Sequence, residues 1–526
     1  MEVSVIRKTL VLCGIIATIS SSTALAEDAP HFHFTEPPGA YAVGLKVVEQ
    51  YDTSRTWGPA VDILGKPIDG ERARPLQTLV WYPAEKSTAP PMVVGDYFKL
   101  LETETSFGKP HLWEGWNEWK TGLAGAMQDP LWSVRDARPV AGHFPIVIYA
   151  PSFGNMAWEN VDLCEYLASH GYIVVATGAL GAVDRPMTGD LAGINAQARD
   201  ISFLVGYAQR LPNVDSANVA VAGFSWGGIG NLFAAAHDSR IAALVAMDGS
   251  MRYYPGLVKD GDVHPDRMTI PLLFFTQGEF TIEDQAQYLS GPGNQGSSVL
   301  NAWTHGDLIT TRMLGMIHVE YSSVYQRNEN SWKDFANEEK ADYGRDQGIP
   351  GYAWMARYTL TYLNAYLKHN AEAMAWLKKT PAENGAPQHF FTVNFRAAIG
   401  PPQTYDSFRL EVGKRGFDHI KDVYADFHKQ NADFKLDQGV VDTWGYELLM
   451  SEHYAQSIDV LELNAQLYPD SGGVYGSLGE AYAKAGQKDL AIQNYQKVLE
   501  KNPNDAETKR KLEELEKPQP AAPTAK

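Results

Sequence analysis

Gly223, Ser225 and Gly227 form a G-x-S-x-G arrangement within Gly223-Phe224-Ser225-Trp226-Gly227-Gly228. It lies between an apolar run that reads as a strand, Asn218 to Ala222, and a helical run that continues to Ala236. A strand before the motif and a helix after it turn a weak pattern into a specific one. The glycines let the chain turn sharply without Cβ clashes, which pushes the Ser225 hydroxyl outward. The helix start aims its unpaired N–H groups and positive dipole end at the same spot. The chemistry expected is nucleophilic attack by Ser225, which needs a base and a carboxylate to orient that base.

In a sheet built around such an elbow, the acid and then the base follow the serine in chain order, so the base belongs after the last strands. His318, in Gly315-Met316-Ile317-His318-Val319-Glu320, follows the run Leu308 to Leu314, read as the final strand. It is preferred to His305, which precedes that strand in a turn with Gly306, and to His264, in a polar loop. For the acid, Ala246-Met247-Asp248-Gly249 ends a wholly apolar strand in an aspartate. An ionised carboxylate there needs a partner, and an imidazole N–H supplies one. One strand later, where an acid is more usual, the chain reads Gly278-Glu279-Phe280-Thr281. Asp248 is therefore preferred to Glu279, Glu283 and Asp284.

These residues need a sheet to hold them. From about Ala42 to Leu377, short β-branched runs alternate with helical patterns, the mark of a mostly parallel α/β sheet flanked by helices. Strands are expected at Gln77–Tyr82, Phe144–Ala150, Tyr172–Ala176, Ile241–Met247 and Leu272–Phe275. Helices are expected at Leu163–Ser169 and Gln197–Leu211, with Tyr352–Leu367 closing the domain. The stretch Asp96–Ala137, with Trp113, Trp116, Trp119 and Trp132, interrupts this rhythm. It fits either a packed insertion that uses tryptophan as core or a wall over the site. Gly291–Ser298 reads as a simple Gly/Ser/Gln connection.

The chain has 526 residues, 44% hydrophobic and 21% charged, which implies more than one folded unit. A net charge of −18, spread along the chain, disfavours nucleic acid and anionic membranes as partners. Arg7 and Lys8, an apolar run from Thr9 to Ile19, and Ala24-Leu25-Ala26 read as a secretory signal peptide over 1–26. That implies an exported protein, periplasmic or secreted, with Cys164 as the single mature cysteine and no transmembrane segment. His31 and His33 have no matching cluster and read as tail, so no metal and no organic cofactor is expected.

Near the C-terminus, Tyr468-Pro469-Asp470-Ser471 recurs as Asn502-Pro503-Asn504-Asp505, a spacing of 34 residues between the prolines. Tyr475, Leu478, Gly479, Tyr482, Ala491 and Tyr495 resemble the packing positions of a tetratricopeptide repeat. Trp444, Gly445, Leu448, Ser457 and Leu461 match less fully. The division expected is a signal peptide over 1–26, a catalytic domain over 27–400 and a connecting segment over 401–437. Repeats with a capping helix then occupy 438–517, and a tail 518–526. So short an array either packs against a neighbour or offers a small surface to a protein partner.

Taken together, Trp81-Tyr82-Pro83-Ala84, Leu167-Ala168-Ser169-His170-Gly171-Tyr172, Gly223–Gly228, the early Asp248 and the late His318 resemble the platelet-activating-factor acetylhydrolase and dienelactone-hydrolase-like branch of the α/β-hydrolases. The resemblance spans about Gln77 to Leu367. It implies a serine esterase with the triad Ser225, Asp248 and His318, acting on a small-molecule or lipid-like ester. In that branch a His-Gly segment helps form the oxyanion hole. Here Pro151-Ser152-Phe153-Gly154 lacks the histidine, leaving the Phe153 backbone N–H as the matching donor and the Trp226 N–H as the second. Dienelactone hydrolases proper use cysteine, and Ser225 argues against their chemistry. A peptidase or polyester hydrolase on the same fold is the rival, with a silent repeat-bearing binding protein as the alternative of another class.

Overall fold

All seven residues of Phe144–Ala150 are buried, as are all five of Ile173–Thr177. Unbroken apolar runs of this kind suit parallel strands covered on both faces. The structure, a computed structural model, describes residues 31–113, 115–277, 298–334 and 347–517. The expected signal peptide, the rival acids Glu279, Glu283 and Asp284, most of the Gly291–Ser298 connection and the tail 518–526 lie outside the described residues.

The sheet comprises β1 (Ala42–Thr56), β2 (Ala73–Ala84), β3 (Ser133–Arg135), β4 (Phe144–Ala150), β5 (Ile173–Thr177), β6 (Val214–Phe224), β7 (Ile241–Met247), β8 (Leu272–Gln277), β9 (Leu308–Met313) and β10 (Phe391–Arg396). Their order across it is β10-β9-β8-β7-β6-β4-β5-β2-β1-β3. The run from β5 through β4, β6 and β7 to β8 is parallel, whereas β1 and β2 form a long antiparallel pair joined to β5. The direction of strand addition reverses between β4 and β6. That reversal opens a crevice at their carboxyl ends, where ligands bind in open α/β sheets. Pro151–Gly154 follows β4 and Ser225 follows β6, so both emerge at that crevice.

The main helices of this unit are α1 (Val94–Leu100), α2 (Trp116–Gly122), α3 (Val161–Ser169), α4 (Leu191–Ala208), α5 (Trp226–His237), α6 (Ser323–Arg327) and α7 (Gly348–Tyr366). Helices α4 and α5 pack together on one face of the sheet, and α3 and α7 on the other. Three expectations change here. Leu308–Leu314 is not the last strand, because β10 follows α7 and extends the sheet beyond β9. The helix near Tyr352–Leu367 therefore does not close the domain. His31–Phe34 is no loose tail: Phe32 is 2% exposed against Tyr352, and His31 Nε2 lies 2.8 Å from an Asp129 carboxylate oxygen.

The tryptophan-rich stretch is packed. Trp116 is buried against Phe98, and Trp113, Trp119 and Trp132 lie partly buried on the same core. Glu165 of α3 ties it down by accepting from the Trp132 N–H, the Ser133 N–H and the Tyr97 hydroxyl.

A second compact unit takes in, of the described residues, 264–271, 298–308 and 396–517; the first takes in the rest. The stretch 401–437, read above as a connection, holds α8 (Tyr405–Arg415) and α9 (Ile420–Gln430). Their Phe408, Val412, Ile420 and Val423 share a core with Val441, Trp444, Val460 and Leu463. The array continues as α10 (Gln438–Met450), α11 (Tyr454–Leu467), α12 (Gly472–Lys484), α13 (Lys488–Lys501) and α14 (Ala506–Glu516). Close helix approach is built in at Gly479, where a Cβ would meet the Tyr495 ring at 2.8 Å.

Candidate active site

Ser225 sits between β6 and α5 with φ +52° and ψ −118°, a strained conformation that only a tightly held turn sustains. Its N–H donates to Met247 O at 3.0 Å, and its own carbonyl accepts from Gly228 N (2.9 Å) and Ser250 N (2.7 Å). The flanking glycines are a packing requirement. A Cβ on Gly227 would lie 2.1 Å from Ala150 O, and one on Gly223 would lie 2.7 Å from Gly227 C.

The Ser225 hydroxyl lies 2.9 Å from His318 Nε2, and His318 Nδ1 lies 2.6 Å from Asp248 Oδ2. His318 opens a short 3-10 turn, His318–Tyr321, after β9, and its ring packs on Phe224 at 4.8 Å between centroids. Asp248 follows β7 with φ +43° and is wholly buried. Its N–H donates to Phe275 O at 2.9 Å, and its Oδ1 accepts from the Tyr253 hydroxyl at 3.0 Å. Burial, and then the Asp248 charge, hold the Tyr253 hydroxyl well above its ordinary range, so it stays a donor. The structure thus brings Ser225, His318 and Asp248 into one hydrogen-bonded chain. His305 instead bonds Gly400 O through Nδ1 at 2.7 Å, and His264 lies near Asp266, both within the second unit.

Phe153 and Trp226 occupy the ends of neighbouring strands: Phe153 on the loop after β4, Trp226 as the first residue of α5. A first-turn helical N–H has no partner within its own helix. Phe153 is 42% exposed, and its ring meets the Trp226 indole edge-on at 5.4 Å; Trp226 in turn meets Tyr254 at 5.5 Å. An aromatic row therefore stands beside the serine.

Two features were not anticipated from the residues. Tyr253, as second partner of the acid, carries no sequence signal. Glu159 and Asn160 interrupt a run that must be buried, and that interruption was the available hint. Glu159 is wholly buried behind Pro151–Asn155, and burial pushes its carboxyl up to about 7 despite bonds from Ser152 and Tyr149. Among the described residues, no group of His, Cys, Asp and Glu is arranged to hold a metal ion, and no helix is long and apolar enough to cross a membrane.

Residues 474–505 match the tetratricopeptide repeat model, within α12 and α13 and their flanks. A solved ferulic acid esterase from Streptomyces cinnamoneus aligns with 71% of this chain and 98% of its own at 16% identity, with a TM-score of 0.45. No curated protein matches significantly. The catalytic unit, a serine hydrolase of the α/β-hydrolase type, gives the defining match: residues 69–389, more than half of the chain, fit the X-Pro dipeptidyl-peptidase (S15) model, and the chain belongs to that family.

Proposed function

We propose that the protein is a serine-dependent carboxylic ester hydrolase in which Ser225 is the nucleophile, His318 the base and Asp248 the orienting acid. The observation that carries this reading is the continuous chain Ser225 Oγ–His318–Asp248 at 2.9 and 2.6 Å. Ser225 Oγ attacks the ester carbonyl carbon while His318 Nε2 takes its proton. The tetrahedral oxyanion is held by the Phe153 and Trp226 backbone N–H groups, each worth about 3–4 kcal/mol in such sites. The C–O bond then breaks, the alcohol leaves with the proton from His318, and water releases the acyl group by the same steps in reverse roles.

An ester is proposed over a peptide because the exposed Phe153 ring, on the loop after β4 and backed by the buried Trp226, offers aromatic surface suited to an apolar acyl or alkoxy group. The family match favours a second reading, a peptidase that releases dipeptides ending in proline. Parallel assays on p-nitrophenyl esters and on X-Pro p-nitroanilides separate the two. Turnover of the esters alone supports the first reading, and preference for X-Pro amides with a free amino terminus overturns it. The finer likeness to the acetylhydrolase-like branch, export through the 1–26 leader and protein recognition by the repeats complete the proposed reading. The first rests on the early acid Asp248, the second on Arg7, Lys8 and Ala24-Leu25-Ala26, and the third on the repeat match over 474–505.

A further inference from the structure

The buried pair Glu159–Asn160 touches both loops that the proposed mechanism needs. On one side, Glu159 Oε2 accepts from the Ser152 N–H (2.8 Å) and the Tyr149 hydroxyl (3.1 Å), while Oε1 accepts from the Ser152 hydroxyl and from Asn155 Nδ2 (2.6 Å). On the other side, Glu159 O accepts from Val324 N (3.2 Å) and the Ser322 hydroxyl (3.0 Å). Asn160 Nδ2 donates to Tyr321 O (3.0 Å), and its Oδ1 accepts from Ser323 N (3.0 Å).

The two amide orientations in this network are fixed. Asn155 Oδ1 accepts from Met156 N, and Asn160 Oδ1 accepts from Ser323 N and the Tyr352 hydroxyl, which sets both amide orientations. The Tyr149 hydroxyl therefore accepts from Asn160 Nδ2 and turns its own proton toward Glu159, while Asn155 Nδ2 divides its two hydrogens among Glu159 Oε1 (2.6 Å) and the Ser152 and Tyr325 hydroxyls (both 3.1 Å). Three donors, the Ser152 N–H, the Tyr149 hydroxyl and Asn155 Nδ2, converge on one carboxyl group, and the Ser152 hydroxyl lies against its Oε1. The ionised form accepts from all of them and from the Ser152 hydroxyl as well, one bond more than the neutral acid can accept.

We propose that Glu159 is a positioning residue: its ionised carboxylate holds the loop that carries Phe153, while its main chain and Asn160 anchor the segment that carries His318. This rests on Ser225 and His318 acting as described above. The titratable groups that face Glu159 are Tyr149 from β4 and His318 and Tyr325 from the 318–327 segment. Burial holds both tyrosine hydroxyls above their ordinary range, so they keep their protons near neutrality, where Glu159, raised to about 7, gives up its own.

The test is the pH dependence of kcat/KM on a p-nitrophenyl ester, from about pH 5 to about pH 9, for the full chain and for Glu159→Gln and Tyr149→Phe. The unaltered protein should lose activity toward acid more steeply than one ionisation allows. Glu159→Gln should reduce the limb to a single ionisation and lower kcat roughly 10- to 100-fold, less than or equal to the loss of one oxyanion donor, with KM changed little. Tyr149→Phe removes one donor from the ionised carboxylate and should move the acid limb to higher pH. A Glu159→Gln protein with unchanged kcat and steepness overturns the proposal, as does one that loses kcat but keeps the steep limb. If Glu159→Gln does not fold, an unshifted limb in Tyr149→Phe overturns it. Ser225→Ala separates the two levels: turnover in that variant sinks the serine mechanism itself, whereas an inert Ser225→Ala beside an indifferent Glu159→Gln sinks only the positioning role.

Discussion

Asp248→Asn is the substitution that tests the site most directly. Its backbone has φ +43°, a region that asparagine tolerates better than most residues, and the side chain keeps its volume, so the fold should survive. The chemistry should not. One oxygen of Asp248 accepts from the Tyr253 hydroxyl at 3.0 Å and the other from His318 Nδ1 at 2.6 Å. An asparagine has one acceptor and one donor to divide between these two partners. With its oxygen toward Tyr253, its NH2 faces His318 and makes Nδ1 the acceptor. The imidazole proton then moves to Nε2, where it points at Ser225 Oγ, 2.9 Å away, and cannot receive the serine proton. Loss of the correct tautomer in a buried triad costs about 10³- to 10⁴-fold in kcat, roughly 4–5.5 kcal/mol at ~1.4 kcal/mol per decade. The measurement is kcat on a p-nitrophenyl ester at neutral pH, with a thermal melt to show an intact fold. A folded Asp248→Asn protein that keeps more than about a tenth of its turnover would refute the assignment. The acid would then be sought among Glu279, Glu283 and Asp284.

Three further predictions concern the nucleophile, a buried carboxyl and the repeats. Ser225→Ala should lower turnover about 10³-fold or more and abolish labelling by a fluorophosphonate, while mass spectrometry of the unaltered protein places the label on Ser225. Glu165, raised to about 7 mainly by burial, holds its proton in the folded state at pH values where the unfolded chain has lost it. The stability this gives is fully present below about pH 4.5 and is lost as pH rises through about 7. The melting temperature should therefore fall over that window, and fall less in Glu165→Gln; an equal fall in both would show that Glu165 is not the source. In the repeats, Gly479→Ala would set a Cβ 2.8 Å from the Tyr495 ring and should destabilise the second unit by about 1–3 kcal/mol. Gly476→Ala, whose Cβ would meet Val498 only at 3.8 Å, is the control and should not melt earlier.

The elbow was legible because its requirements are local: strand, two glycines, serine and helix are consecutive. The acid and base candidates were legible because chain order in a parallel sheet restricts which strand ends face the crevice. Where the residues interact over long separations, the pattern was silent. Ala42–Thr56 carries Lys46, Glu49 and Gln50, because its edge-side face is not covered like that of β4, so it lacked the apolar run that betrays a central strand. Phe391–Arg396 is short and follows a helix already sufficient to end the domain, yet it completes the sheet edge. The segment 401–437 reads polar because its helices bury only a narrow stripe: Phe408 and Val412 on one, Ile420 and Val423 on the other. Tyr253 acts five residues from Asp248 through a turn that no spacing rule specifies.

The triad is held by two different kinds of fastening. Ser225 is locked to the turn that carries Asp248 through main-chain bonds to its neighbours, Ser225 N to Met247 O and Ser250 N to Ser225 O. His318 belongs to an excursion after β9 that is stapled to α3 largely through the side chains of Asn160 and Ser322. Nucleophile and acid thus form a fixed half, and the base a tethered half. Gentle heating should detach the tether first, so that catalysis fades while the sheet still absorbs circularly polarised light as a native one does. A covalent adduct on Ser225 that engages His318 should close that gap and bring the two transitions together.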